Sequence, residues 1–177
     1  MLTDSQIAYN REKIISLLRR TKRPNIEDVV NYLDDNDFFI APSSATHHHN
    51  WKGGLAQHSL EVYMIVRRKD YLVPSDSLII ASLLHDVCKI HQFYIDSKGI
   101  IRSRSLHVKG HGSRSVWILH HICFALREDE LLTIRWHMHR RSDDNDDPGW
   151  KKARHSNLWK LVHDADVASA CCRHSFD

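Results

Sequence analysis

Leu78-Ile79-Ile80-Ala81-Ser82-Leu83-Leu84-His85-Asp86-Val87-Cys88-Lys89 is apolar on nearly every side as far as Leu84, then turns abruptly to an imidazole beside a carboxylate. A helix that is apolar all round belongs at the centre of a helical core. Pro74-Ser75-Asp76 opens this helix, so His85-Asp86 falls at its C-terminal end. Neighbours on a regular helix diverge by about 100°. The pair can therefore grip one ion only at a distorted turn, or by flanking it. Lys89 lies four residues after His85 and three after Asp86, on the same helical face.

Working outward, metal-binding side chains recur at His58, His85-Asp86, His111, His137 and Asp166, with gaps of 27, 26, 26 and 29 residues. That interval is one helix plus a turn plus part of the next element, at roughly 10–14 residues per helix. Antiparallel helices would return a ligand to the same end of a bundle on each pass, which is how bundles build metal sites. Any one of these histidines alone reads as a core or surface residue; the recurrence is what points to a centre. His58, His85, Asp86 and Asp166 form a 2-His-2-carboxylate shell suited to Mn, Fe, Co, Ni or Zn, with Mg admissible, and lack the thiolates of a structural zinc site. His111 and His137 add nitrogens for a second ion. With Asp86 bridging, two divalent ions about 3.5–4 Å apart could clamp a phosphate.

The rest of the chain reads as helices. Thr3-Asp4-Ser5-Gln6 is a capping box for a helix running to Arg19-Arg20, and Pro24-Asn25 restarts a short helix bearing Ile26, Val29, Val30 and Leu33. Residues 34–52 look irregular, and their His47-His48-His49 run reads as a solvated loop, the alternative being that one of the three enters the pocket as an outer-shell or substrate contact. Gly53-Gly54 precedes a helix holding His58, which ends in Arg67-Arg68-Lys69 as the helix dipole prefers. Phe93-Tyr94-Ile95, Asp96-Ser97-Lys98-Gly99 and Ile100-Ile101 spell a small hairpin with Gly at the turn. Further helices are expected from His111, over Arg127 to His139, and over Ser156 to Cys172, with a polar loop at Asp143 to Gly149. The fold class is thus all-α, a helical bundle with a β-hairpin inserted after the His-Asp helix.

The chain has 177 residues, which suits one domain and buries roughly 70% of the unfolded surface, so no metal is needed merely to hold it folded. A net charge of +3 does not mark a dedicated nucleic-acid binder, and no extended nucleic-acid track is evident. No run approaches the ~18 apolar residues of a membrane helix, and the N-terminus lacks the order of a signal peptide. Cys88, Cys123, Cys171 and Cys172 sit in helical patterns without paired C-x-x-C knuckles, which fits a reducing cytoplasm.

Gly53-Gly54-Leu55-Ala56-Gln57-His58-Ser59-Leu60-Glu61-Val62 resembles the first-histidine motif of HD-domain metal-dependent phosphohydrolases. Leu83-Leu84-His85-Asp86-Val87-Cys88-Lys89 looks like that superfamily's signature, with Cys88 where the family usually has Gly. Cys88 reads as a small buried side chain rather than a soft ligand. Lys109-Gly110-His111-Gly112 and Ile134-Arg135-Trp136-His137-Met138 are similar to the third and fourth metal-binding stretches of a bacterial and phage subgroup. Val162-His163-Asp164-Ala165-Asp166-Val167-Ala168 looks like the closing helix, whose pattern favours Asp166. Asp164 and Asp166 lie about 200° apart on a helix, so only one can face the ion. The resemblance implies a single HD domain over residues 1–177, with an N-terminal helix at 1–24 and the core at 25–172.

The resemblance further implies a phosphohydrolase acting on a nucleotide (a nucleoside mono- or triphosphate, or a short phosphodiester) through metal-activated hydroxide. Alternatives are a 3′-5′ exoribonuclease-like or cyclic-nucleotide phosphodiesterase activity, a di-iron oxygenase on the same fold, and a non-catalytic nucleotide sensor. Asp86, Lys89, His111 and His137 are the expected catalytic residues, an imidazole free of metal being able to protonate the leaving oxygen. Lys89 as a point charge and Arg114 as a fork would hold phosphate, and Trp51, Phe93 or Tyr94 would stack a base. Arg102, Arg104 and Lys109 would form a positive rim, while Arg135 and Arg140 read as surface residues. The expected partner is a small nucleotide, with no membrane, and exposed apolar residues would support a homo-oligomer.

Overall fold

A computed structural model describes residues 1–68, 73–104, 110–140 and 145–171. Lys69, Lys109, Asp143, Asp144 and Cys172 lie outside the described residues. Helix α1 spans Asp4–Arg20, and its capping box forms as expected: Thr3 Oγ1 accepts from the Gln6 amide and Gln6 Oε1 accepts from the Thr3 amide. Helix α2 is Ile26–Asp35, entered through Asn25 at φ 60°. Helix α3 is Gly54–Val66 and α4 is Ser75–Leu84. From Ser77 to Leu84 every residue of α4 is buried, the central position that its all-round apolarity demands.

After α4 the chain does not continue as α-helix. His85 caps it, Asp86 takes φ −107°, ψ 16°, and Val87–Lys89 forms a short 3-10 turn. This is the distorted turn that a consecutive His-Asp pair requires to face one point. Helix α5 (His111–His121) pins it from the side. Ser115 Oγ donates to the His85 carbonyl at 2.6 Å and accepts from the Cys88 amide at 3.2 Å. The hairpin pairs β1 (Phe93–Ile95) with β2 (Ile101–Ser103), with Tyr94 opposite Arg102 and Gly99 at φ 76° in the turn. β2 thus begins one residue later than the Ile100-Ile101 pair anticipated and runs on to Ser103.

Helix α6 (Glu128–Trp136) ends three residues short of the expected His139, and His137 caps it. Residues 145–147 of the expected polar loop are irregular, but its last two, Pro148 and Gly149, open a short helix, α7 (Pro148–Ala153). Asp147 Oδ1 accepts from the Gly149 amide at 2.7 Å, and Pro148 opens the first turn, where its missing N–H costs nothing. Helix α8 is Asn157–Cys171. The main core joins α1, α2, α3, α4, α5 and α8, while Trp150, Trp159, Leu132, Trp136 and Ala153 form a second cluster under α7. Helix α3 packs on α4 and α8, and α6 packs on α5, α4 and α8. Among the described residues no helix is long and apolar enough to cross a membrane.

Candidate metal centre

The four packed helices deliver their ligand residues to one buried point. His58 and Asp166 come from within α3 and α8, whereas His85, Asp86 and His137 come from the ends of α4 and α6. The convergence is therefore not confined to helix ends, as a simple return to one pole would have it. His58 Nε2 lies 3.3 Å from His85 Nε2 and 3.1 Å from Asp166 Oδ1. Asp86 Oδ2 lies 3.7 Å from His58 Nε2 and 3.5 Å from His85 Nε2. Ligands bound at about 2.0–2.2 Å sit roughly 3–3.5 Å from one another around an ion. Asp164 is exposed and Asp166 half-buried, so the closing carboxylate at this point is Asp166.

The outer nitrogens are all engaged. His85 Nδ1 donates to the Ser82 carbonyl at 2.9 Å and His137 Nδ1 to the Ile134 carbonyl at 2.7 Å. Ser169 Oγ donates to Glu61 Oε2 at 3.0 Å and so accepts from His58 Nδ1 at 3.1 Å. With the proton of a neutral ring on Nδ1, each Nε2 presents a lone pair inward, the orientation that backing partners give metal-ligating histidines.

Two buried atoms test whether a cation fits here. Asp86 Oδ1 and His137 Nε2 have no hydrogen-bond partner and face each other at 3.5 Å. Leaving such groups unsatisfied costs about 1–3 kcal/mol each, a cost a cation between them removes. The nitrogen and oxygen donors present suit a divalent transition ion, so the residues fit the group.

Burial alone would raise the Asp86 carboxyl, but Lys89 and then His85 hold it well below the usual carboxylate range. Burial likewise opposes ionisation of Asp166, which His58 and His85 outweigh. Burial pushes His58 down. Lys89 Nζ is 2.7 Å from Asp86 Oδ2 and 3.2 Å from Ser43 Oγ, and its side chain is 12% exposed, so the ammonium reaches the rim of the site. Asp86 raises Lys89 against the downward pull of burial, which keeps it charged.

Other expected residues are placed differently. His111 opens α5, is half-buried, and belongs to none of the tight ligand groups among the described residues; its Nδ1 is 3.9 Å from Cys88 Sγ. Among the described residues it does not join His137 in a tight ligand group, so the geometry lends the second-ion reading of the pair no support. Arg114 is also corrected: its Nε and Nη2 donate to the Cys88 carbonyl at 3.1 and 2.7 Å, and Nη2 also to Gln92 Oε1 at 2.6 Å. Those edges hold the 3-10 turn rather than presenting a fork to phosphate. Trp51 Nε1 donates to Gln57 Oε1 at 3.0 Å and its ring tilts against His49, so it lies behind the ligand residues. Arg104 sits over the exposed Tyr94 ring at 4.7 Å, and Cys88 is buried with its thiol pushed up to about 11 by desolvation.

The His47-His48-His49 run is not a solvated loop. His47 is exposed, but His48 is half-buried and His49 fully buried, and their rings lie 4.9 and 5.2 Å from that of His58. Burial, reinforced by His58 and Lys89, lowers His48 to about 4. The missed signal was Gly54. A Cβ there would stand 2.0 Å from the His49 carbonyl oxygen, so the glycine that starts α3 also admits the histidine loop.

An all-helical core whose helices meet in buried imidazoles and carboxylates marks a protein built to hold a metal ion. The family model of the HD domain matches residues 55–171, and the chain belongs to that family. Membership makes it a metal-dependent hydrolase of the phosphohydrolase class, with a buried His/Asp cluster able to hold divalent metal. No solved structure matches the chain.

Proposed function

We propose that the protein hydrolyses a phosphate ester or anhydride of a small nucleotide, a nucleoside mono- or triphosphate or a short phosphodiester. The observation that carries this reading is the Asp86 carboxylate: one oxygen faces His137, and the other is shared by His58, His85 and the rim ammonium of Lys89. A bound divalent cation supplies Lewis acidity and brings the pKa of water towards about 7. Four side chains, His58, His85, Asp86 and Asp166, would hold it, with His137 at its edge. Lys89 spends one donor on Asp86 and one on Ser43, leaving the third for a non-bridging phosphate oxygen. Ser43 and Asp86 thereby orient the ammonium before substrate arrives. A small substrate is favoured over a nucleic-acid strand because many basic side chains are committed elsewhere. Arg19 pairs with Glu27, Arg23 with Glu130, Arg127 with Asp76 and Arg102 with Asp96.

The test is phosphate release from a nucleotide panel by protein loaded with Mn, Fe, Co, Ni, Zn or Mg, run with and without oxygen. Turnover without oxygen is expected; product formed only with oxygen and iron would replace hydrolysis by oxygenation. Tight metal binding without turnover of any nucleotide would leave a sensor. Lys89→Met should lower kcat/KM by roughly 100-fold with ion content unchanged. Equal kcat/KM in that variant would remove Lys89 from the phosphate site.

A further inference from the structure

Three imidazoles of the candidate centre share one construction, in which Nδ1 is tied behind the ring and Nε2 is left bare. His48 repeats it. Its Nδ1 lies 3.1 Å from His49 Nδ1, and His49 Nε2 lies 2.9 Å from Glu61 Oε2. A neutral imidazole carries one proton, which orders the chain of bonds. The Glu61 carboxylate can only accept, so the His49 proton is on Nε2. His49 Nδ1 is then an acceptor, and the proton between the two rings belongs to His48 Nδ1. His48 Nε2 is left with its lone pair, as in His58, His85 and His137.

The placement brings His48 beside His58, which the candidate centre shares. One ligand atom each from His48, His49 and His58 fall within 4.8 Å of one another. His49 has both nitrogens engaged by His48 and Glu61, which leaves His48 as the new donor beside His58. Glu61 also backs His58 through Ser169, so a single carboxylate orients imidazoles arriving from a loop and from a helix. Its other oxygen accepts from Gln57 Nε2 at 2.8 Å, and Gln57 accepts from Trp51, fixing the anchor in turn. Carboxylate-histidine-metal chains use this logic.

We propose that His48 is a further ligand of the ion held by His58, His85, Asp86 and Asp166, set in place by Glu61 through His49. The proposal rests on the metal centre described above. A third nitrogen in the shell would favour Co, Ni or Zn over Mg, since imidazole is a softer donor than carboxylate or water. Half-buried where His58, His85 and Asp86 are fully buried, His48 would sit on the solvent side of the ion.

Cobalt binding tests it without any substrate. Wild type and His48→Ala are titrated with Co²⁺ against a chelator, while the visible absorption of the bound ion is recorded. His48→Ala should weaken Co²⁺ by about 10–100-fold and alter the absorption bands, and added imidazole should restore the wild-type bands. His49→Gln should produce a smaller loss with the bands retained. His48→Gln, which keeps the side-chain bulk, serves if the alanine variant does not fold. Unchanged affinity and bands in a folded His48 variant would overturn the ligand while leaving the four-residue centre standing. Wild-type protein that retains no Co²⁺ would overturn both.

Discussion

Asp86→Ala abolishes ion retention and hydrolysis together, while far-UV circular dichroism still reports a helical protein. The expected fall in kcat/KM is at least about a thousandfold, since roughly 4 kcal/mol of charge stabilisation disappears at 1.36 kcal/mol per decade. Asp86 reaches both sides of the centre, His58 and His85 through Oδ2 and His137 through Oδ1, so its loss removes charge from both. Asp86→Asn makes the sharper version, since it keeps the shape, removes the charge and turns an acceptor into a donor aimed at imidazole lone pairs. Ion content by elemental analysis, read beside activity, checks it. Full activity in either variant would remove Asp86 from the site.

The largest structural effect is expected from Gly112→Ala. A Cβ at Gly112 would lie 2.1 Å from the Arg135 carbonyl oxygen and 2.4 Å from that of Ile134. Both are backbone atoms of α6, which cannot turn aside as a side chain could, so α5 must back away by about 1 Å. Overpacking of this kind costs about 1–3 kcal/mol, and at 2–4 °C per kcal/mol the Tm should fall by roughly 2–12 °C. The Ile134 oxygen is also the acceptor for His137 Nδ1, and α5 carries the Ser115 and Arg114 groups that pin the His85-Asp86 turn. Ion affinity should therefore fall with stability. A Tm within a degree of wild type would show that the two helices are not in rigid contact.

The ligand residues from helices were legible because helical period and ligand interval are properties of sequence spacing. His58, His85, Asp86, His137 and Asp166 all converge; helical geometry required that only one of Asp164 and Asp166 face the site, and the closing motif the sequence resembles favoured Asp166. The distorted turn after Leu84 was likewise implied by two consecutive ligands. His111 was legible as a helix start, but its distance from the other candidate ligands depends on how far α5 stands off the 3-10 turn, which no local pattern encodes. Arg114 failed for a related reason: its donors meet a carbonyl freed by that turn, 26 residues away in the chain. For the histidine loop the favoured solvated reading failed and the alternative of entry into the pocket was nearer, because polarity counts in isolation point outward. Its burial depends on Glu61 from α3 and on the missing side chain of Gly54, both tertiary effects. The helix over Pro148–Ala153 was hidden by the acidic run ahead of it, though Asp147-Pro148 was a start signal in plain view.

One diffraction measurement bears most directly on the whole account. Crystals of the wild-type protein grown with Mn²⁺ or Co²⁺ should give an anomalous peak about 2.0–2.3 Å from His58 Nε2, His85 Nε2, Asp166 Oδ1 and an Asp86 oxygen. Absence of that peak at saturating ion, with these four side chains bonded only to one another, would contradict it.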